Sequence, residues 1–232
     1  MIQGGRSGQT GANLRSALSA GILLILGMSQ TAHADEAEFR QFNITIDGRH
    51  AGRYRLTIES KKNQGLIVDA EAKVVLNYLI YRYTYSFHGQ EYWQGGRLAR
   101  LQSESNDNGK RFRVDAVSQD DKLRVTVNGK TDNYRADVWT TTYWQLPDKR
   151  YRNQGIPLLD ADTGRYLQGR LEFVDRENIM VAGTLQPCAH YSVSAPGIEV
   201  EAWYDGQERL VRQTAMEDGH RTVMTLSALE RR

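Results

Sequence analysis

Short stretches in which apolar and polar residues alternate cover most of this 232-residue chain, and pairs of turn-forming residues separate them. Residues 68–74, VDAEAKV, place apolar side chains on one side and charged ones on the other. Turn pairs such as Asn128-Gly129 and Asp218-Gly219 favour tight hairpins, because both residues tolerate positive φ. Hairpins this short leave no room for the crossovers that parallel strands need. We therefore predict an all-β fold with mainly antiparallel strands.

The strands, about ten to thirteen of them, are predicted to form a single long meander, as a curved sheet or an open or closed β-barrel. Residues 175–178 are interpreted as a break between two of these strands. The stretch from 134 to 164 lacks a sustained period, and Pro147 and Pro157 disfavour a long helix. We expect a long irregular connection there, with a short helical turn near residues 140–145. Such loops in compact domains are often lids or binding loops.

Residues 1–34 have the features of a signal peptide, so we expect one β-rich domain over residues 35–232. Arg6 and Arg15 precede an apolar run, ALSAGILLILGM, that is too short to cross a bilayer. The small residues that end at Ala34 fit a cleavage site. Cleavage after Ala34 would give a periplasmic protein that does not span a membrane. A retained membrane anchor is the alternative.

The charge balance argues against the partners that a strongly basic protein would have. Without residues 1–34, which carry two arginines and no acid, the chain has 28 basic and 28 acidic side chains. This balance argues against nucleic acid as a partner and against attraction to anionic lipid head groups. Cys188 is the only cysteine, so an exported protein of this sequence has no internal disulfide and depends on its core.

An aromatic row, YRYTYSF, places Tyr81, Tyr83, Tyr85 and Phe87 at a spacing of two. Side chains at this spacing share one face of a strand. One interpretation is a covered core, because aromatic residues favour half-buried sheet surfaces. The other is the lining of a cavity, because each tyrosine hydroxyl needs a partner that a dry core rarely supplies.

The stretch just before this row, from Val74 to Tyr81, is apolar on both faces apart from Asn77. Three interpretations remain open: a strand buried on both sides, a bulge that changes the facing of the side chains, or an exposed apolar lip. An exposed lip would be a docking site for a partner protein of the cell envelope.

Candidate chemistry is sparse in this sequence. Cys188 and His190 would share a strand face, but no base or orienting group adjoins them, and a structural cysteine explains the pattern more simply. Residues 104–109 with Asp115 have the oxygen spacing of a calcium loop, although a hairpin turn explains them with fewer assumptions. We therefore predict no cofactor and no metal site.

Three segments resemble a family of uncharacterised bacterial exported proteins, a domain of unknown function. They are residues 91–110, 140–164 and 191–219, in which a Trp-x-Gly-x-Leu hairpin and a Trp-Tyr-Asp…Leu-Val-Arg hairpin carry most of the resemblance. The resemblance implies no established activity and no catalytic residues. The predicted meander is also similar, more weakly, to the periplasmic lipoprotein carriers, whose open barrel holds acyl chains under a helical lid. The connection at 134–164 lacks the long apolar helices of such lids.

The first functional hypothesis is a periplasmic binding or carrier protein for a hydrophobic or amphipathic, lipid-like ligand. The ligand would lie on the concave face of the sheet, because an apolar pocket with few polar groups is typical of a binding site. The predicted lining residues are Tyr81, Tyr83, Tyr85, Phe87, Trp93, Trp139, Trp144 and Trp203.

Two further hypotheses remain. A structural or interaction module would dock on an envelope partner through the lip from Val74 to Tyr81. A hydrolase would use His88 or His190 with acids such as Glu91 or Asp205, which only folding would bring together. The sequence favours a protein that is not an enzyme, because it contains no catalytic motif.

Overall fold

The computed structural model describes residues 36–61, 65–77 and 82–232, and the predicted signal peptide therefore lies outside the described residues. Fifteen strands form one sheet, which confirms the mainly antiparallel, all-β meander. The strands are β1 (Ala37–Ile46), β2 (Arg49–Ser60), β3 (Gly65–Asn77), β4 (Arg82–Gln94), β5 (Arg97–Asp107), β6 (Lys110–Gln119), β7 (Lys122–Val127), β8 (Lys130–Arg135), β9 (Trp139–Thr140), β10 (Gln154–Leu159), β11 (Tyr166–Val181), β12 (Thr184–Ala195), β13 (Ile198–Tyr204), β14 (Leu210–Glu217) and β15 (His220–Arg231).

The strands lie in the spatial order β8-β7-β6-β5-β4-β3-β2-β1-β15-β14-β13-β12-β11-β10-β9. Neighbouring strands are antiparallel except β9 and β10, which run parallel. The pairing of β1 with β15 joins two meanders into one sheet. Strands β8 and β9 are the two edges and share no backbone ladder, so the sheet is not closed.

Side chains bring distant parts of this open sheet together. Tyr134 of β8 stacks on Tyr166 of β11, with ring centroids 4.5 Å apart and planes 3° from parallel. Gly164 lies against Val114 and Val127, where an added Cβ would stand 2.4 Å from a methyl carbon of Val127. Its φ of +73° also favours glycine, so this approach depends on the missing side chain. The curved sheet therefore encloses an interior without a closing strand pair.

Buried and more exposed residues alternate along the strands, and the buried residues form the inner face of the sheet. In β4, Phe87, Gly89, Glu91 and Trp93 are buried, and the residues between them are exposed or half-buried. Strands β2 and β3 show the same alternation, as the sequence predicts. The largest fully buried side chains are Tyr143, Tyr204, Phe42, Leu56, Leu98, Leu101, Leu123, Ile156, Leu158, Leu159, Leu171 and Leu210.

The number of strands exceeds the predicted ten to thirteen, because some strands lack the expected pattern. Strand β8 is an exposed edge whose sequence, KTDNYR, shows no apolar face. Strand β10 contains Pro157, which is tolerated because β9 pairs only with Leu158 and Leu159. The connection predicted at 134–164 therefore includes the two strands β9 and β10.

The helical turn predicted near residues 140–145 is wrong. The short helix is instead a 3₁₀ helix at Lys149–Tyr151, where Asp148 caps the first turn by accepting the Arg150 amide at 2.9 Å. No helix within the described residues is long and apolar enough to cross a membrane.

The strand break predicted at residues 175–178 is also wrong, because β11 continues through them. A register shift between Phe173 and Asp175 marks a β-bulge, which lets charged, exposed residues stay in the ladder with β12. The predicted tight turns are confirmed at Asn128-Gly129, where both residues have positive φ.

Candidate functional site

An irregular segment covers part of the inner face of the sheet. We call residues 136–148 the inner loop and residues 160–164 the return turn. Arg40 of β1 donates to the Trp144 carbonyl, and Tyr54 of β2 lies 3.5 Å from the Thr142 carbonyl. The inner loop is thus attached to the sheet by side-chain hydrogen bonds as well as by apolar packing.

Aromatic rings form much of the contact between the inner loop and the sheet. Trp144 packs edge-to-face on Trp93 of β4, with ring centroids 6.0 Å apart. Within the loop, Trp139 packs edge-to-face on Tyr143 at 4.9 Å. All four rings are buried. Such rings give large apolar contact areas with directional ring–ring packing.

Glu91 is a carboxyl group buried among these rings, with an exposed fraction of 0%. Its Oε2 accepts the Trp93 indole N–H at 2.6 Å, and its Oε1 accepts the Thr142 hydroxyl at 2.8 Å. The polar groups of Thr140 and Trp144 also lower the pKa of Glu91, and the Thr140 hydroxyl lies 2.9 Å from that of Thr142. Within the described residues, no lysine or arginine forms an ion pair with Glu91. Burial raises the pKa of Glu91, and the hydrogen bonds offset only part of this effect.

The return turn is attached to the inner face by hydroxyl groups. Ser103 of β5 donates to the Ala161 carbonyl at 2.5 Å, and Ser105 donates to the Asp162 carbonyl at 3.0 Å. The Tyr85 hydroxyl donates to Asp162 Oδ2 at 3.0 Å. Burial, with a further contribution from nearby Asp160, raises the pKa of Asp162, whose Oδ1 is buried without a partner.

Three buried hydroxyl groups have no hydrogen-bond partner within the described structure: those of Tyr143, Tyr204 and Thr214. Tyr143 is only 2% exposed and Tyr204 is 0% exposed. Burial raises the pKa of Tyr204, and Tyr143 and Tyr191 raise it further. Buried polar groups without partners are rare in proteins and each needs an explanation.

The predicted aromatic row does share the inner face. Tyr83 and Tyr85 are half-buried and Phe87 is buried, whereas Tyr81 lies outside the described residues. Together with Trp93 and the inner-loop tryptophans Trp139 and Trp144, these rings are packed against protein. Whether any of them contacts a ligand stays a prediction.

Trp203 lies apart from this group. Its ring stacks on His190 with centroids 4.2 Å apart, and the guanidinium of Arg212 lies 5.0 Å from its centroid. Its indole N–H donates to Glu177 at 3.2 Å. Trp203 therefore belongs to a polar cluster on strands β11 to β14, and no local pattern of residues indicated this separation.

The acids and histidine considered for a hydrolase do not converge around Glu91. His88 lies on the exposed face of β4, where its Nε2 is 3.1 Å from Asp69. Asp205 forms an ion pair with Arg209 at 2.6 Å. The side chain of Glu91 is instead hydrogen-bonded to Trp93 and Thr142.

Cys188 has the character of a structural cysteine. It is buried, and its thiol faces the Gln186 carbonyl at 3.6 Å. Burial, with smaller effects from Asp205 and Glu177, raises the pKa of Cys188 to about 11. The thiolate needed for nucleophilic attack is therefore disfavoured at neutral pH.

Residues 104–109 and Asp115, whose oxygen atoms have the spacing of a calcium loop, lie in the hairpin of β5 and β6. Asn108 and Gly109 make its turn, with φ of +48° and +100°. Glu104 forms an ion pair with Arg113 across the hairpin, and Asp115 lies 3.2 Å from Arg100. The carboxylates at both ends of this spacing are therefore used in strand-to-strand ion pairs, and Asn106 Oδ1 accepts the Gly109 amide within the turn at 2.8 Å.

The apolar stretch from Val74 to Tyr81 is described only as far as Asn77. Val74 is buried on the inner face, whereas Val75 points outward and is 43% exposed. Leu76 is partly buried against the core. This part of the stretch has the ordinary alternation of a strand, and the rest of the predicted lip lies outside the described residues.

The fold is similar to that of a solved structure, a β-barrel-like protein of domain of unknown function DUF1849 from Brucella abortus. The TM-score is 0.64 and the identity 11%, over 84% of this chain and 98% of that one. This likeness shows the fold alone. A DUF1329 family protein from Desulfovibrio piger ATCC 29098 covers 86% of both chains at 12% identity, but its TM-score of 0.16 supports no structural argument.

The sequence comparisons agree with the resemblance to an uncharacterised family. A search of curated proteins finds no match. Residues 42–227, which include nearly all of the sheet, match a domain of unknown function. The chain therefore belongs to the family described as DUF6134, a domain of unknown function.

Proposed function

We propose that the protein is a non-enzymatic binding or carrier protein of the periplasm, whose ligand is an amphipathic, lipid-like molecule. The ligand would lie between the inner face of the sheet and the inner loop. The observation that carries this proposal is the set of unpartnered, buried hydroxyl groups of Tyr143, Tyr204 and Thr214, in an interior that is otherwise rich in aromatic rings.

A ligand with one apolar and one polar part matches this interior. Rings such as Trp93 and Trp144 provide apolar contact area. A polar head group would provide the hydrogen bonds that the Tyr143 and Tyr204 hydroxyls lack, and each such bond removes the cost of a buried unpaired group. Pockets for small molecules combine a mostly apolar lining with a few placed polar groups in this way.

The charge of the interior disfavours an anionic head group. Burial raises the pKa of Asp162, and Asp162 in turn contributes to the raised pKa of Glu217, which lies at the exposed end of β14. Asp107 and Asp160 contribute in the same direction. An added negative charge would meet the same repulsion. The proposal therefore specifies a neutral or cationic head group, such as a polyol ester or an amine.

Entry of the ligand requires movement of the inner loop. Side-chain hydrogen bonds hold this loop and the return turn, among them Thr142 to Glu91 and Ser103 to Ala161. Opening the loop would also break backbone bonds, such as that from the Leu146 N–H to the Glu208 carbonyl at 2.9 Å. Loops that cover binding sites commonly open and close.

Binding is tested with three amphiphiles that share a C12 chain: monododecanoylglycerol, dodecylamine and dodecanoic acid. Tryptophan fluorescence should report binding of the first two and much weaker binding of the acid. Tyr143→Phe should weaken monododecanoylglycerol binding several-fold, because it removes one buried hydroxyl. Tyr151→Phe, in the 3₁₀ helix, is the matched control.

Native mass spectrometry of the protein purified from its own cells tests the same proposal without added ligand. A co-purified neutral or cationic amphiphile supports it. If no amphiphile co-purifies and none of the three probes binds, the proposal is wrong.

A second candidate function is docking on an envelope protein through the stretch from Val74 to Tyr81. Its support is the outward-facing Val75 on β3. Val75→Asp should leave the thermal unfolding midpoint nearly unchanged and abolish co-purification of the partner. Unchanged co-purification would exclude this surface.

A further inference from the structure

His190 lies at the centre of a cluster of three carboxylates on strands β11 to β13. The β-bulge after Phe173 sets the register so that Asp175 pairs with His190. Glu177 follows two residues later on the same strand, and Glu201 is on β13. The bulge thus aligns residues that are far apart in sequence on one small surface.

Both ring nitrogens of His190 face carboxylate oxygens. Nε2 lies 2.6 Å from Glu201 Oε2. Nδ1 lies 3.2 Å from Asp175 Oδ1 and 3.3 Å from Glu177 Oε1. Within the described residues, His190 is the only basic group that forms an ion pair with any of these three carboxylates.

In the tautomer whose Nε2–H donates to Glu201, the lone pair of Nδ1 faces the oxygens of Asp175 and Glu177. A lone pair opposite two carboxylates is repulsive unless a cation lies between them. A histidine whose N–H is held by a carboxylate while its other nitrogen faces further carboxylates has the arrangement of a metal-ligating histidine.

The distances from His190 Nδ1 to the two carboxylates are close to the ligand spacing of a small divalent ion. One nitrogen or oxygen atom from each of Asp175, Glu177 and His190 lies within 4.8 Å of the other two. A tetrahedral ion with bonds of about 2.0–2.2 Å places its ligand atoms about 3.4 Å apart. The Nδ1 distances of 3.2 and 3.3 Å are close to this value.

The ring of His190 is held in place by its neighbours. It stacks on Trp203 with an interplanar angle of 8°. Trp203 also donates to Glu177, so that one side chain orients both a nitrogen and an oxygen ligand. The His190 side chain is only 12% exposed, whereas Asp175 is 55% exposed, which leaves the cluster open to solvent on one side.

We propose that Asp175, Glu177 and His190 bind a divalent transition-metal ion, with Glu201 as a positioning residue. Imidazole with carboxylates suits Zn²⁺ and its first-row neighbours, whereas Ca²⁺ prefers oxygen ligands alone. Three protein ligands leave a coordination position for water or for an external ligand on the solvent side.

Calorimetric titration of the chelator-treated protein with ZnCl₂ tests this site. The wild-type protein should bind one ion, and His190→Gln and Asp175→Asn should each weaken binding at least tenfold. Glu201→Gln should weaken binding about 10- to 100-fold, as expected for a residue that orients a ligand. An excess of CaCl₂ should not displace the Zn²⁺.

His88→Gln is the matched control, because His88 pairs with the single carboxylate of Asp69 at 3.1 Å on the exposed sheet face. It should bind Zn²⁺ like the wild type. Nuclear magnetic resonance of ¹⁵N-labelled histidine should show a shift at Nδ1 of His190 when Zn²⁺ is added. If the wild type does not bind, or if His190→Gln and Asp175→Asn bind as the wild type does, the proposed site is wrong.

Discussion

Glu91 and the carboxylates around His190 both lie next to a tryptophan, but different groups surround them. Glu91 is enclosed by the inner loop, and only neutral groups such as Trp93 and Thr142 donate to it. The carboxylates around His190 are open to solvent and share one basic ring. The first arrangement favours a neutral carboxyl group and the second favours a bound cation, because burial removes the solvation that a charge needs.

The largest expected effect is that of removing the ring that attaches the inner loop. Trp144→Ala should lower the free energy of unfolding by about 3–5 kcal/mol, because it leaves a cavity against Trp93. Denaturant unfolding measures this loss. Phe173→Ala, at a ring that is 42% exposed, is the control and should cost about 1 kcal/mol or less. Equal losses for both would mean that the inner loop is not part of the core.

The charge of Glu91 is tested by the pH dependence of Glu91→Gln. Burial raises the folded-state pKa of Glu91, so its favourable contribution is present below its unfolded-state pKa and is lost as pH rises through the folded-state value. The wild type should therefore lose stability relative to Glu91→Gln as the pH is raised from 4 to 8. The other carboxyl groups titrate in both proteins, so the difference isolates Glu91. A difference that does not change with pH would contradict this assignment.

Two tyrosine-to-phenylalanine changes compare a partnered with an unpartnered hydroxyl. Tyr85→Phe should lower the free energy of unfolding by about 1–3 kcal/mol, because Asp162 loses a donor. Tyr143→Phe should raise it by about 1 kcal/mol or more, because it removes a buried hydroxyl that has no hydrogen-bond partner. Thermal unfolding of the two variants in parallel gives the comparison. A loss for Tyr143→Phe would mean that its hydroxyl is already satisfied.

The smallest effects are expected at His88 and His190 in the absence of metal. His88→Gln should change the free energy of unfolding by less than about 0.5 kcal/mol, since its pair with Asp69 is solvent-exposed. His190→Gln should cost more, about 0.5–1.5 kcal/mol, because three carboxylates lose their shared basic partner. Equal costs would mean that the cluster around His190 contributes no more than an ordinary surface pair.

Local patterns made much of the fold predictable. The alternation of residues in β4 predicted that Phe87 and Trp93 lie on the same face of the strand. The Asn128-Gly129 pair predicted the hairpin between β7 and β8. Strand β8 was missed because an exposed edge strand needs no apolar face. The bulge near Asp175 was mistaken for a strand break, since charged residues on an exposed ladder resemble a turn.

Contacts across the fold were not predictable from this sequence. Glu91 and Thr142 are 51 positions apart, and no local pattern shows that the inner loop returns to β4. His190 contacts Asp175 and Glu201 because of the register in which β11, β12 and β13 pair. A one-residue bulge changes that register, and its position was not predictable. Trp203 was grouped with the inner aromatic residues because side-chain type alone does not tell where a ring packs.

Hydrogen–deuterium exchange with and without monododecanoylglycerol tests the proposed binding role most directly. The ligand should slow amide exchange mainly in the inner loop, residues 136–148, and in the strands that it covers, with little change in β6 and β7. Unchanged exchange at a saturating ligand concentration, or protection confined to strands away from the inner loop, would contradict the account.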